Sequence, residues 1–184
     1  MVNLVVKSPL SGLLPLRAGQ VTLTEAAPAF VSSIQARQGK SSALAKALQA
    51  SHGLTLPEVG KANAAADHRL LWFGTYQYLL IGAAPAAPSL SEFAALTDQT
   101  DAWAVMHLVG EGAAEVLARH CPLDLRTERF GIGQTARAPL ADMPAIVTPI
   151  AQGFEIMVLQ SLSRTAVHHL HQAMRSLAAQ ASPF

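Results

Sequence analysis

The chain has 184 residues, of which 51% are hydrophobic and only 14% charged, with a formal net charge of +1. Its Lys and Arg residues are scattered singly among Asp and Glu, which excludes the basic stripe that nucleic acid or an anionic membrane would require. No stretch approaches the roughly 20 consecutive apolar residues of a membrane-spanning helix.

An average soluble domain carries about 25% charged residues. The shortfall here, with a mean hydropathy of +0.28, points to an outer surface partly hidden against a permanent partner. The alternative is an Ala-rich protein whose surface is simply Ala, Gln, Ser and Thr. The length suits one compact unit. Cys121 is the single cysteine, so no intrachain disulfide or CxxC motif exists and a reducing, cytoplasmic setting is expected.

Met1–Leu16 is apolar but broken by Ser8, Pro9, Ser11, Gly12 and Pro15, and it lacks the basic start and long apolar run of a signal peptide. Residues 1–19 are therefore expected to form an extended arm. Residues 20–184 are expected to form a single α+β domain. Alternation from Phe30 to Arg37 predicts a half-buried strand. A helix should follow, capped by Ser41 or Ser42, with Leu44 and Leu48 on one face and Gly53 at its left-handed end. Leu54–Asp67 has no clear period and reads as a loop.

His68–Phe73 and Tyr76–Ile81 flank Gly74-Thr75 with the spacing of a tight hairpin, with a glycine able to take positive φ. Ser89 and Glu92 have capping-box spacing, which predicts a helix to about Thr97. Ala102–Val109 reads as a strand, with Trp103, Val105, His107 and Val109 on one face and Ala104, Met106 and Leu108 on the other. After the turn Gly110–Gly112, Ala113–His120 reads as a helix that Pro122 ends. Strands are expected at Gln134–Ala138, Ala145–Ile150 and Phe154–Leu159. The final helix opens at Ser163, with Val167, Leu170, Met174, Leu177 and Ala178 at helical spacing. Each half therefore repeats strand, helix, strand pair, helix, and Ala102–Val109 would complete a βαββαβ order in the first. The expected fold is a degenerate duplication of ferredoxin-like βαββα units, with antiparallel sheets carrying packed helices and pseudo-repeats near 20–99 and 100–184.

The sequence carries no motif of a known catalytic or metal site. His168, His169 and His171 form an HHxH cluster, but two nitrogens on one helix face are too few for a stable metal, and Glu155 before them lies in a strand. Cys121 beside His120 sits at a helix C-terminus, where the dipole opposes a thiolate. Gly131 and Gly133 form only a fragment of a dinucleotide fingerprint. Asp67, Asp98 and Asp101 are carboxylates suited to an amine or a pterin, yet Asp98 and Asp101 stand where Asp is an ordinary turn former. No catalytic residue and no metal site are assigned, and no cofactor-binding residue can be named.

The segment Thr97–Leu125, TDQTDAWAVMHLVGEGAAEVLARHCPLDL, resembles the gamma subunit of heterotetrameric sarcosine oxidase, a relative of the glycine cleavage T-protein (aminomethyltransferase) fold. The resemblance continues through Phe130, Gly133 and Ala136-Arg137, through MPAIV at Met143–Val147 and FEIMV at Phe154–Val158, and into SLSRTAVHHL at Ser161–Leu170. It covers most of Arg69–Ala179. The family's acidic turn after the strand Arg69–Phe73 is replaced by Gly74-Thr75-Tyr76-Gln77-Tyr78, so no role for acidic residues carries over there. The resemblance implies a non-catalytic assembly subunit, with alpha, beta and delta partners, in a complex that demethylates sarcosine to glycine. FAD, FMN, NAD and tetrahydrofolate would sit on the large subunits and zinc on delta, and this chain would bind none of them. The competing expectations are a folate-binding aminomethyltransferase-like domain and a small homo-oligomeric binding protein.

Overall fold

The computed structural model describes residues 7–181. Among these residues eleven strands and three α-helices follow one another as β1 (Leu16–Ala18), β2 (Val21–Glu25), β3 (Phe30–Ala36), α1 (Ser41–His52), β4 (Ala62–Ala65), β5 (His68–Gly74), β6 (Gln77–Gly82), β7 (Ala94–Asp98), β8 (Trp103–Val109), α2 (Ala113–Ala118), β9 (Ala136–Leu140), β10 (Met143–Ile150), β11 (Gly153–Leu159) and α3 (Ser163–Ala181). They build two antiparallel sheets. The N-sheet has the order β4-β5-β6-β3-β7 and the C-sheet the order β1-β2-β8-β11-β10-β9.

Strand alternation decides which side chains meet. Along β8, Ala104, Met106 and Leu108 face α2 and α3, whereas Val105 faces the opposite sheet. The same switch along β11 sends Phe154, Ile156 and Val158 to the helices and Met157 to the sheet. Leu44 and Leu48 of α1 close on Ile34, Leu70 and Leu80 on the far side of the N-sheet. Between the sheets lie Val31, Leu71, Leu79 and Ile81 from one and Val105, Ile146 and Met157 from the other, all nearly inaccessible. The molecule is thus four layers, with helices outside and two sheets face to face.

The duplication is visible strand by strand. In the N-sheet, β7-β3-β6-β5 has the fourth-first-third-second order of a ferredoxin-like unit, with β4 added beyond the second strand. In the C-sheet, β2-β8-β11-β10 has the same order, with β9 added in the same place. The fourth strand of the second unit therefore comes from the beginning of the chain. The two added strands approach one another, with a bridge between Lys61 and Gln134, and the Thr135 N–H donates to Gly60 O at 2.9 Å.

Several expectations need correction. The first βαββαβ unit is completed by β7 and not by β8, which opens the second unit. Ser89 and Glu92 form no capping box: Pro88–Glu92 is one 3-10 turn without a side-chain cap, and Ala94–Asp98 is a strand. Pairing along β3, with Ala94 and Leu96 turned into the core, outweighs the local helix signal. The loop expected over Leu54–Asp67 contains β4, whose sequence ANAA carries no hydrophobic period and forms a strand because β5 offers it a ladder. In the hairpin turn the residue with positive φ is Tyr76, and the glycine able to take it, Gly74, does not. Lys40, with no side-chain bond, occupies the N-cap expected for Ser41 or Ser42, while Gly53 ends α1 at φ 66 as expected. Within the expected arm, residues 1–6 lie outside the described residues. Leu10 is buried in the C-sheet core, and Leu16–Ala18 is a strand paired with β2.

Close approach makes glycine necessary at Gly110, where a Cβ would come within 2.0 Å of Gln20 O. The inter-sheet layer is the more general determinant. Leu79→Ala is expected to cost about 2–5 kcal/mol, since a buried leucine loses transfer energy and leaves a cavity. Val59→Ala, at a side chain 75% exposed, should stay within about 0.5 kcal/mol. Denaturant unfolding of the two variants beside the parent chain measures both.

Candidate functional site

At the open end of the apolar inter-sheet layer the sequence introduces charge. Glu155 lies on the inward phase of β11, two residues before Met157, and its cross-strand partner on β8 is His107. Arg69 occupies the matching inward phase of β5, two residues before Leu71. Arg69 reaches across the layer, and its Nη2 donates to Glu155 Oε2 at 2.5 Å; His107 Nε2 meets the same oxygen at 3.3 Å. The Glu155 side chain is only 4% exposed and that of Arg69 27%.

Burial of Glu155 would by itself raise its pKa, but the His107 hydrogen bond and the Arg69 guanidinium outweigh it and hold the carboxyl below its ordinary range. Its other oxygen, Oε1, has no hydrogen-bond partner among the described residues, and neither has His68 Nε2 nearby. The cluster opens onto a cleft of about 630 Å³, walled by Ala26–Ala29, Ala64, Ala66 and Gly82. Chemically this is a carboxylate held ionised by two nitrogen donors. Because Arg69 comes from the N-sheet and Glu155 with His107 from the C-sheet, the contact ties one sheet to the other.

A second arginine crosses between the sheets at another place. Arg137 of β9 lies 4.4 Å from the Phe73 ring centroid and donates to Phe73 O at 3.2 Å. Beside it runs an apolar groove of about 610 Å³ formed by Trp72, Phe73, Pro139 and Pro144.

The residues singled out from the sequence do not converge. His168 and His171 border a groove with Leu13 and Leu16, while His120 Nε2 meets His169 O at 3.1 Å. The C-sheet separates all of them from Glu155, which faces its opposite side. Among the described residues no group of three His, Cys, Asp or Glu side chains is placed to hold a metal ion. Cys121 is buried in the helix-side core, and that burial pushes its thiol pKa up. Asp98 accepts bonds from the Thr100 backbone and hydroxyl, which lower its pKa, and Asp101 sits in an adjoining turn. Only Asp67 reaches the cleft. Gly133 serves the junction of the added strands, where the Ala62 N–H donates to its carbonyl at 2.9 Å. The triad Arg69, His107 and Glu155 was missed as a unit. Its signal was a polar residue on the buried phase of an otherwise apolar strand, in HRLLWF, AVMHLV and FEIMV.

Replacing Glu155 by Ala should cost about 3 kcal/mol or more, since it leaves Arg69 partly buried without its counter-charge. A carboxyl whose folded pKa is depressed stabilises the fold above its unfolded pKa of about 4.3 and loses that contribution as pH falls toward the folded value. The parent chain should therefore lose stability below about pH 4.3 more steeply than Glu155→Gln, as read from melting temperatures between pH 3 and 7.

No family model matches the chain. It is 30% identical over 174 residues to sarcosine oxidase subunit gamma of Corynebacterium sp. (strain U-96), an alignment covering 88% of this chain and 84% of that one. Its fold superimposes on a chain of the heterotetrameric sarcosine oxidase from Corynebacterium sp. U-96 in complex with pyrrole 2-carboxylate. The TM-score is 0.81 at 26% identity, over 97% of this chain and 98% of that one. Both similarities cover most of the two chains, and the chain belongs to the sarcosine oxidase gamma-subunit family.

Proposed function

We propose that this chain is the gamma subunit of a heterotetrameric sarcosine oxidase, serving assembly and not catalysis in the oxidative demethylation of sarcosine to glycine. The observation that carries the reading is the near-complete mutual coverage with the Corynebacterium chain at TM-score 0.81. The partners in this reading are alpha, beta and delta subunits, and FAD, FMN, NAD and tetrahydrofolate are carried by the larger chains. A cytoplasmic setting suits the single buried thiol, and no helix among the described residues is long and apolar enough to cross a membrane. The division into an arm over 1–19 and one domain with pseudo-repeats near 20–99 and 100–184 belongs to the same proposal, although β1 and β2 complete the second sheet.

Surface chemistry supports it. Val59, Ile132 and Tyr76 are 75%, 71% and 59% exposed, a large apolar display for a chain with so few charges. Val59 and Ile132 each precede a glycine at the junction of β4 and β9, so the duplication presents an apolar side chain twice. Such residues suit burial against neighbouring subunits.

Tagged chain drawn from its native lysate should bring down larger flavin-bearing chains and a sarcosine-dependent peroxide activity, followed by mass spectrometry and flavin absorbance. A colourless, solitary protein would refute the subunit reading. A rise in its melting temperature with tetrahydrofolate would then favour a folate-binding aminomethyl-transfer domain.

A further inference from the structure

The cleft beside Arg69, His107 and Glu155 holds an unmet hydrogen-bonding demand. Buried carboxylate oxygens are normally partnered, yet Glu155 Oε1 is closed to solvent and has no partner among the described residues, on a side chain only 4% exposed. Both recorded contacts fall on the other oxygen, Oε2. We infer that this cleft binds a small zwitterion, an α-amino acid whose ammonium group meets the Glu155 carboxylate and whose carboxylate meets the Arg69 guanidinium. The inference goes beyond the gamma-subunit reading and does not depend on it, because every group it uses belongs to this chain.

Charge selects the ligand. Glu155 and Arg69 set an anion and a cation side by side, with 2.5 Å between Oε2 and Nη2. A simple amine drawn to Glu155 is repelled by Arg69, and a simple carboxylate drawn to Arg69 is repelled by Glu155. An α-amino acid carries both charges on either side of a single carbon, so each end finds its opposite. Arg69 has donors to spare: a guanidinium carries more N–H groups than one oxygen can use, and only Nη2 has a recorded acceptor. The side chain is 27% exposed, which leaves part of it open to a ligand. Asp67 also borders the cleft, but it is exposed and its charge is screened by solvent.

The way in lies past His107. Its Nε2 stands 3.3 Å from Oε2, longer than the usual N–H···O range, and its side chain is 37% exposed, whereas Arg69 holds the same oxygen at 2.5 Å. An incoming ammonium group displaces this weaker neighbour from the carboxylate and brings several N–H donors, enough to serve Oε1 as well. Space is available, since the cleft measures about 630 Å³ and its wall at Ala26, Ala27 and Ala29 carries only methyl side chains. On β4, Ala64 is paired directly with Arg69, so its methyl group shares the face on which the guanidinium stands. A mostly apolar cleft with a few convergent charged groups is the usual form of a small-molecule site.

The test titrates the full chain with glycine, acetate and methylamine in parallel, following the His107 ring and Arg69 guanidinium resonances by NMR. Glycine should move both sets and bind about tenfold or more tighter than either singly charged ion, since it alone gains both charge-assisted contacts. Ala64→Leu fills the space across from Arg69 from an exposed position and leaves Arg69, His107 and Glu155 in place. It should weaken glycine binding by about tenfold, with a melting temperature near that of the parent chain. Acetate or methylamine binding as tightly as glycine overturns the inference, as does glycine binding that Ala64→Leu leaves unchanged. If glycine moves neither set of resonances, water alone completes Glu155 and the inference falls. Should Ala64→Leu fold poorly, the three probes on the parent chain decide. None of these outcomes bears on subunit assembly, which the lysate pull-down reads separately.

Discussion

Everything in this fold depends on the contact between two sheet faces. A ferredoxin-like sheet covered by helices on one side still has an apolar second face, and neither unit can hide its own. Val31, Leu71, Leu79 and Ile81 need Val105, Ile146 and Met157 opposite them, and this mutual need makes the duplicated sequence one body. At about 25 cal/mol per Å² of apolar surface removed from water, a layer of seven such residues couples the halves.

Polar groups occur where that layer stops. Glu155 is tolerated in a buried strand position because Arg69 arrives from the other sheet and His107 from the neighbouring strand. Ionic pairs of this kind add orientation more than energy, since desolvation offsets much of their attraction. The Arg137 contact to Phe73 joins β9 to β5 in a similar way at a separate point. The clamps fix how one sheet lies on the other, and the exposed loops around Val59 and Ile132 inherit that geometry. A subunit whose task is to present a fixed surface needs rigidity of this kind more than it needs a reactive group.

The sequence revealed elements with strong periodicity and hid those made by pairing. β8 and α3 were legible because Met106 and Leu108, or Leu170 and Met174, recur at the spacing of one face. β4 and β7 were not, since ANAA has no period and the signal at Ser89 and Glu92 favoured a helix; their state is set by β5 and β3, which lie elsewhere in the chain. The exchange of β8 for β7 as the closing strand followed from that single misreading. The Arg69, His107 and Glu155 cluster was hidden as well, since it required knowing that three separate strands present the same phase to one layer. The family resemblance came from Thr97–Leu125 and the closing strand and helix.

The borrowed strand also bears on how the protein comes into being on the ribosome. The first unit is contiguous from β3 to β7, so all its partners have emerged before β8 is made. β1 and β2 are translated earlier still, yet Thr22 must wait for Val109 and Leu23 for Leu108. Synthesis therefore leaves the earliest residues without a sheet until the latter half of the chain arrives, and closing so long a loop is slow compared with local pairing. During that interval the inter-sheet face of the finished first unit is bare, which makes the nascent chain most dependent on chaperones midway through its own translation.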